Sequence, residues 1–360
     1  MTQKEASEAL GELFITGFSG LELTENFVQW VSRSQIGGTI LFAHNYENPA
    51  QLAELIHQIQ ECRTELPLWI SVDQEGGRVQ RFKKGFTRIP DAATVGSFRS
   101  PQIAFEISAV IAKELKGVGV NLNFCPVGDI LTHAKNPVIG NRAYGSNPDL
   151  VSKICTAVIR GHLVHQVQPC MKHFPGHGDT SVDSHFALPK TDTPLSVLKE
   201  RELKPFLKAF RSKCSMVMVA HILNTKIDST YPGTLSRILL QDLLRNELGY
   251  DKLILSDDME MKAITDHFGV DEAPVLALQA GCDLLIYRSQ AQAEHAYSAC
   301  IHAIEKGKLH PEIILKACER IRALKQKCLL PYHPIVIAEV GKSVGTPENL
   351  ATVQKLESVA

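Results

Sequence analysis

The sequence predicts an α/β fold, a single-domain (β/α)8 barrel of the TIM type, with a doubly wound sheet as the alternative. Eight short apolar segments are each bounded by Gly, Pro or polar residues, which is typical of strands buried on both faces of a parallel sheet. Segments with apolar residues at helical spacing separate these strands along the chain. This regular alternation of strand and helix favours the barrel.

The predicted strands are short and largely apolar. They lie at 12–18, 37–43, 68–73, 120–127, 168–174, 215–221, 252–258 and 282–287. The predicted helices lie between or after them, at about 50–62, 101–117, 148–166, 198–212, 236–248, 271–280 and 290–306. In the first of these helices Leu52, Ile56 and Ile59 share one face, which is the pattern of an amphipathic helix packed on a sheet.

The chain is long and apolar enough for one large domain. It has 360 residues, of which 44% are hydrophobic, so it can bury a full core. No Pro/Gly/Ser-rich linker and no repeat of solenoid period divides it. We predict a catalytic barrel over residues 1–332 and a C-terminal tail over residues 333–360, where the periodic pattern is weak.

Composition argues against several classes of protein. The 38 Lys and Arg residues nearly balance the 39 Asp and Glu residues, so charge favours neither nucleic acid nor an anionic membrane as a partner. The N-terminus lacks the pattern of a signal peptide, and no run approaches the roughly twenty apolar residues that span a bilayer. The nine cysteines include no CxxC pair and read as buried thiols of a reducing compartment. We therefore expect a cytoplasmic protein. The sequence does not determine the oligomeric state, for which a monomer is the expectation.

Polar side chains gather where the predicted strands end. They are Asp73, Lys172, His173, His221, Asp257 and Asp258. Taken alone, each residue is explained by a structural role, such as a helix cap or a hydrogen bond in the core, as well as by a role in a functional site. Because the active sites of barrels form at the C-terminal ends of the strands, their joint occurrence there predicts a shared pocket.

Two glycine-containing loops add arginines near the same strand ends. In DQEGGRVQRF (73–82), the glycines either make a tight turn or let the backbone approach a ligand, and Arg78 and Arg81 follow them. In GNRAYGS (140–146), Arg142 lies in a loop after a strand. There is no GxGxxG after a strand and no P-loop motif, so nothing predicts a nucleotide cofactor.

The stretch KHFPGHGDTSVDSH (172–185) has three possible interpretations: a metal site, an acid/base device, or a solvated polar loop. Its side chains of metal-ligand type are His173, His177, Asp179, Asp183 and His185. Pro175 and the neighbouring glycines disfavour a helix that would put two histidines on one face. In the acid/base interpretation, the Asp183 carboxylate orients the His185 imidazole and raises its basicity for proton transfer.

Together these motifs make the chain resemble the β-N-acetylglucosaminidases of glycoside hydrolase family 3, in particular the single-domain cytoplasmic bacterial enzymes of peptidoglycan recycling. The resemblance covers about residues 10–330. The motifs that carry it are VDQEGGRVQRF (72–82), FCPVGDI (124–130) with IGNRAYGS (139–146), KHFPGHGDTSVDSH (172–185), LLRNELGYDKLILSDDMEM (243–261) and ALQAGCDLL (277–285). The DSH loop is typical of the N-acetylglucosaminidase branch of that family.

The resemblance implies a role for each matching residue. Asp257 is the expected catalytic nucleophile, and His185, assisted by Asp183, is the expected general acid/base. The N-acetylglucosamine in the −1 subsite, the subsite of the sugar that is released, would be bound by Asp73, Arg81, Arg142, Lys172 and His173. No metal and no cofactor are expected.

The implied activity is exo-hydrolysis of terminal β-linked N-acetylglucosamine from muropeptides that contain 1,6-anhydro-N-acetylmuramic acid. A family 3 β-glycosidase of other specificity, or a phosphorylase, would keep the fold and change the substrate or the acceptor. A metal-dependent barrel hydrolase would use the histidine cluster. A non-catalytic sugar-binding module is disfavoured, because candidates for both the nucleophile and the acid/base are present.

Overall fold

The computed structural model describes residues 2–63, 65–133, 136–180 and 188–357. Two predicted catalytic residues, Asp183 and His185, lie outside this described part of the chain.

Eight parallel strands form a closed barrel. They are β1 (Phe14–Thr16), β2 (Gly38–Leu41), β3 (Trp69–Val72), β4 (Leu122–Asn123), β5 (Gln168–Phe174), β6 (Met216–Val219), β7 (Leu253–Asp258) and β8 (Leu284–Tyr287). Each strand pairs with the next along the chain, and β8 pairs with β1 to close the barrel. Each of these eight barrel strands lies within a predicted segment, so the predicted (β/α)8 barrel is confirmed.

Helices surround the barrel. The α-helices are α1 (Gln3–Ala9), α2 (Glu25–Ser34), α3 (Pro49–Glu61), α4 (Ala92–Ser97), α5 (Pro101–Val118), α6 (Pro148–Leu163), α7 (Leu195–Glu200), α8 (Leu203–Arg211), α9 (Lys262–Phe268), α10 (Glu272–Ala280), α11 (Gln290–Glu305), α12 (Pro311–Leu329) and α13 (Pro347–Glu357). A π-helix, Ile238–Glu247, lies between β6 and β7. Short 3-10 helices cover Leu10–Leu13, Ala43–Asn45, Gly140–Arg142, Gly233–Leu235 and Ile337–Lys342.

Local sequence signals fix the ends of these helices. Before α5, the side chain of Ser100 accepts a hydrogen bond from the backbone N–H of Ile103 at 3.3 Å, and Pro101 occupies the first helical position. The helix ends at Gly119, whose φ of 98° places it in the left-handed region that favours glycine.

Buried ion pairs tie together the face of the barrel where the strands begin. Glu12 contacts Arg63 at 3.1 Å and Lys325 at 2.9 Å, and all three side chains are almost fully buried. Asp283 contacts Arg245 at 2.6 Å close to the start of β8. Lys325 belongs to α12, so this network attaches the last barrel helix to the beginning of the chain.

The C-terminal residues pack on α5. Asn349 of α13 donates a hydrogen bond to Glu114 at 3.0 Å, and the backbone N–H of Gly345 donates to the same carboxylate at 2.8 Å. Val353 is buried. The part of the predicted tail that the structure describes therefore contains a 3-10 helix and an α-helix in contact with the barrel.

All nine cysteines are free thiols, and seven of them are buried. None of the described helices has both the length and the apolar character needed to cross a membrane.

Candidate active site

A cavity of about 410 Å³ opens at the C-terminal ends of the barrel strands. Its walls include the ends of β3, β5 and β7, so it lies where barrel active sites form. Six of the predicted site residues line it: Asp73, Arg81, Arg142, Lys172, His173 and Asp257. The structure therefore brings together the described candidates for the nucleophile and for sugar binding. Asp258 also lines the cavity, whereas His221, which was predicted to share the pocket, is not among its lining residues.

Lys172 is the central cation of the cavity floor. Its Nζ lies 2.6 Å from Oδ1 of Asp73 and 2.6 Å from Oε1 of Glu75, and the residue is only 1% exposed. Burial favours the neutral amine, but the two carboxylates outweigh it and raise the pKa of Lys172. Burial likewise opposes the ionisation of Asp73 and Glu75, yet the neighbouring cations hold the pKa of each below its ordinary value. All three groups therefore stay charged at neutral pH.

Two arginines extend this network towards the cavity. Arg142 binds Glu75 with two hydrogen bonds, from Nε at 2.9 Å and from Nη2 at 2.7 Å, and Nη2 also lies 3.5 Å from Nε2 of His173. Arg81 lies 3.5 Å from Oδ2 of Asp73. The sequence did not single out Glu75, although it lies two residues after Asp73 in the same motif.

The paired glycines of DQEGGRVQRF make a tight turn. Gln74–Gly76 pairs in antiparallel fashion with Val79–Gln80. Gly76 has φ 110° and Gly77 has φ 53°, and a Cβ added to Gly76 would lie 2.4 Å from the backbone oxygen of Pro90. The glycines are thus needed for the turn and its packing. The turn places Arg78 and Arg81, which follow it, beside the cavity.

Asp129 holds the histidines of the cavity wall, and the sequence did not predict this role. Its Oδ2 lies 2.7 Å from Nδ1 of His173, while Oδ1 accepts hydrogen bonds from the backbone N–H of His177 at 2.7 Å and of His173 at 3.3 Å. Burial opposes its ionisation, but the two histidines lower the pKa of Asp129. The ionised carboxylate directs Nε2 of His173 away from Asp129, towards Arg142. The only sequence signal was its place in FCPVGDI, shortly after a strand.

His177 and Asp179 now have defined positions. His177 is buried with Nδ1 2.7 Å from Oγ1 of Thr180, and burial together with His173 lowers the pKa of His177 to about 4. Asp179 accepts hydrogen bonds from Thr132 at 2.9 Å and from Arg201 at 3.0 Å. Both residues therefore hold this part of the loop in place. Among the described residues, no group of three or more His, Cys, Asp or Glu side chains is arranged to hold a metal.

Asp257 lies at the end of β7 with a carboxylate that is ionised at neutral pH. Burial raises its pKa, but the nearby imidazoles of His173 and His221 and the backbone N–H of Asp258, which donates to Oδ1 at 2.8 Å, bring the pKa down to about 2. His221 is itself held by the backbone oxygen of Asp258 at 2.9 Å and by Oγ1 of Thr234 at 2.8 Å.

The adjacent carboxylate behaves in the opposite way. Burial, with smaller contributions from Glu260 and Asp257, raises the pKa of Asp258 to about 7, although Arg288 opposes this effect. The guanidinium Nε of Arg288 lies 3.2 Å from Oδ2 of Asp258 and 3.6 Å from Oε2 of Glu260. Two neighbouring carboxylates in one cavity thus have different charges at mildly acidic pH.

This contrast gives a stability prediction for Asp258→Asn. A carboxyl whose pKa is higher in the folded chain than in the unfolded chain stabilises the fold below its ordinary pKa, near 3.8, and loses that contribution as the pH rises through about 7. The difference in unfolding free energy, variant minus unsubstituted chain, should therefore increase by at least about 1 kcal/mol from pH 4 to pH 8. Urea unfolding at both pH values measures this difference. The exposed Asp242→Asn is the control, and a pH-independent difference for Asp258→Asn would contradict the assignment.

The arrangement suits a reaction on a polyhydroxylated substrate. The cations and carboxylates of the floor offer hydrogen-bond donors and acceptors to hydroxyl groups, while the Asp257 carboxylate is available as a nucleophile.

Comparison with known proteins is consistent with this chemistry. The model of the glycosyl hydrolase family 3 N terminal domain matches residues 6–324. A β-hexosaminidase from Neisseria meningitidis serogroup C (strain 053442) is 38% identical over 281 residues, which cover 76% of this chain and 77% of that protein. β-Hexosaminidase A from Pseudoalteromonas piscicida is 33% identical over 346 residues, which cover 89% of this chain and 58% of that longer protein.

A solved structure agrees with these relatives. The glycoside hydrolase family 3 β-N-acetylglucosaminidase from Paenibacillus sp. str. FPU-7 superposes with a TM-score of 0.94 at 36% identity, covering 97% of this chain and 68% of that one. The family predicted from the sequence motifs is confirmed: the chain belongs to glycosyl hydrolase family 3 and is a glycoside hydrolase with β-hexosaminidases among its relatives.

Proposed function

We propose that the protein is a retaining exo-β-N-acetylglucosaminidase that releases terminal β-linked N-acetylglucosamine from peptidoglycan fragments containing 1,6-anhydro-N-acetylmuramic acid. The observation that carries the proposal is the ionised Asp257 carboxylate in a cavity of sugar size, beside His173 and close to the Lys172 network. The names of the relatives support an N-acetylhexosamine as the substrate. The resemblance of the sequence motifs supports the muropeptide, and the absence of a signal-peptide pattern supports a cytoplasmic location.

In the first step, a carboxylate oxygen of Asp257 attacks the anomeric carbon and the bond to the aglycone oxygen breaks. A nucleophile must be unprotonated, and the low pKa of Asp257 keeps it so across the physiological range. The nearby histidines that hold this pKa down also keep the nucleophile ionised before substrate arrives. The product of this step is a covalent glycosyl-enzyme.

The floor of the cavity would hold the sugar during this step. Asp73 retains acceptor capacity for a hydroxyl, Arg81 and Arg142 reach the cavity with donor groups, and His173 lines the same cavity. Because these groups already hold one another in place, little reorganisation accompanies binding. This pre-organisation favours one orientation of the sugar above Asp257.

His185, oriented by Asp183, would supply and remove the proton. It gives a proton to the leaving oxygen in the first step and takes one from water in the second, and that water attacks the anomeric carbon and frees Asp257. An imidazole titrates near neutrality and adds no negative charge beside Asp257 and the developing positive charge on the sugar. This role rests on the sequence motif DSH, since both residues lie outside the described part of the chain.

His185→Ala should slow turnover of substrates with poor leaving groups by about 10²- to 10⁴-fold, because general acid catalysis typically contributes that factor. The loss should be much smaller for an aryl glycoside whose leaving group needs no proton. Steady-state kinetics on a series of aryl N-acetylglucosaminides measures this dependence. His302→Ala, on the exposed side of α11, is the control. A rate loss that does not depend on the leaving group would exclude His185 as the acid.

The substrate class is tested by direct comparison of substrates. The proposal predicts hydrolysis of a chromogenic β-N-acetylglucosaminide and of the disaccharide with an anhydro-muramic acid, and little hydrolysis of the matching β-glucoside. Formation of N-acetylglucosamine 1-phosphate in phosphate buffer would indicate a phosphorylase instead. Loss of activity with a chelator would favour a metal-dependent hydrolase.

A further inference from the structure

A second and larger cavity lies at the opposite end of the barrel. Its volume is about 840 Å³, within the range of small-molecule sites. It touches Pro67, Asn121 and Gln168, which lie at or just before the first residues of β3, β4 and β5. We call it the rear cavity, because the active-site cavity lies at the other ends of these strands.

Lysines and histidines from several different elements line the rear cavity. They are Lys113 and Lys116 on α5, Lys327 at the end of α12, His57 on α3, and His165 and His333 in loops. Glu339 is the one acidic residue among the lining residues, and it pairs with Lys342 at 2.8 Å. Lys113 pairs with Glu348 at 3.0 Å. The lining therefore carries more positive than negative charge.

Two of these cations are uncompensated. Lys116 and Lys327 form no ion pair within the described part of the chain. Partial burial lowers the pKa of Lys116, which means that its charge is held in a less favourable environment than in water. A bound anion would offset this cost.

The amide of Gln168 also lines the rear cavity. Gln168 is only 5% exposed, and no hydrogen bond joins its side chain to another residue in the described part of the chain. Its amide atoms are not among the fully buried polar atoms that lack a partner, so they are accessible from the cavity and can bind a ligand or water with polar atoms.

Much of the remaining lining is apolar. Leu330, Tyr332 and Val336 are exposed large hydrophobic residues, and all three line the rear cavity together with Pro331 and Ile335. A ligand that matches this lining has an apolar body beside these residues and a negatively charged group near the lysines.

We propose that the rear cavity binds a small organic anion, an aromatic or otherwise apolar body that bears a phosphate or carboxylate, with the anionic group between Lys116 and Lys327 and a hydrogen bond from Gln168. This site is separate from the cavity that contains Asp257 and does not depend on the function proposed for it.

The test uses 1-naphthyl phosphate as the probe and isothermal titration calorimetry on the full chain. The probe should bind more tightly than inorganic phosphate, which lacks the apolar body, and more tightly than 1-naphthalenemethanol, which lacks the charge. The double variant Lys116→Gln/Lys327→Gln should weaken its binding by roughly tenfold or more, because two favourable charge interactions are removed. The control Lys306→Gln/Lys308→Gln removes two exposed lysines that do not line the rear cavity and should not change binding.

Both double variants should turn over a chromogenic N-acetylglucosaminide at the rate of the unsubstituted chain, which verifies that they fold. If the unsubstituted chain does not turn it over, an unchanged unfolding midpoint serves the same purpose. Three results would overturn the proposal: no binding of the probe at about 5 mM, equal binding to Lys116→Gln/Lys327→Gln and the unsubstituted chain, or displacement of the probe by N-acetylglucosamine. The last result would place the probe in the active-site cavity.

Discussion

Asp257→Ala is expected to lower kcat for a chromogenic N-acetylglucosaminide by about 10⁴-fold or more, because the covalent path disappears with the nucleophile. The substitution removes a charged group from a polar cavity, so the chain should still fold. Circular dichroism and the unfolding midpoint verify this before kinetics are compared.

Chemical rescue makes this experiment specific. Azide is small enough to occupy the space of the missing carboxylate and attacks the anomeric carbon from the same face. The expected product of Asp257→Ala with azide is therefore an α-glycosyl azide, of inverted configuration. Rapid turnover without azide, or a product of retained configuration, would contradict the role of Asp257 as nucleophile.

Lys172→Met is expected to destabilise the fold by about 3–5 kcal/mol and also to abolish most of the activity. The substitution leaves Asp73 and Glu75 without the cation that lies 2.6 Å from both. Removal of one partner from a buried ion pair typically lowers the unfolding free energy by about 3–5 kcal/mol. It also removes the group that holds Asp73 in place, and Asp73 is one of the residues that we propose bind the sugar. Urea unfolding measures the first effect, and kcat/KM at low temperature, where the variant stays folded, measures the second.

Lys325→Met is the matched control at the other end of the barrel. Lys325 is fully buried and lies 2.9 Å from Glu12, which keeps Arg63 as a second partner, much as Glu75 keeps Arg142. Its loss should cost stability of the same order and leave kcat/KM of the folded fraction nearly unchanged. If both variants lose activity in equal proportion to stability, Lys172 has only a structural role.

The barrel could be predicted because its strands lie in short, largely apolar segments that alternate with helical segments. All seven residues of β5 (QPCMKHF) are buried, which agrees with the prediction of a strand buried on both faces, although a lysine and a histidine lie near its end. Those two polar residues stood out for the same reason, since a charge at the end of a buried strand must face a partner or a ligand. The strand ends thus indicated both the fold and most of the site.

The partners of these residues could not be predicted from spacing. Glu75 and Asp129 are distant from Lys172 and His173 along the chain, and only the closure of the barrel brings each pair within hydrogen-bonding distance. The same holds for Asn349 of α13 and Glu114, whose contact attaches the C-terminal helix to α5. Weak periodicity in that segment reflects contact through a few side chains instead of a broad apolar face.

The pKa contrast between Asp257 and Asp258 is also a property of the folded chain. The two residues are adjacent in SDD and chemically identical. The pKa of Asp257 is lowered by two nearby histidines, whereas the pKa of Asp258 is raised chiefly by burial. The resemblance to family 3 enzymes implies Asp257 as the nucleophile, and the electrostatics of the cavity support that proposal, because the ionised carboxylate is the one at Asp257.

The central claim, a covalent intermediate on Asp257, is tested most directly by trapping it. The protein is incubated with a fluorinated N-acetylglucosamine-type substrate that forms the glycosyl-enzyme quickly and hydrolyses slowly, and intact and peptide mass spectrometry follow. We predict one added sugar per chain, attached to Asp257 in the peptide that contains SDDMEM. A label on any other residue, Asp258 included, or turnover of the reagent without a label on the protein, would contradict the account.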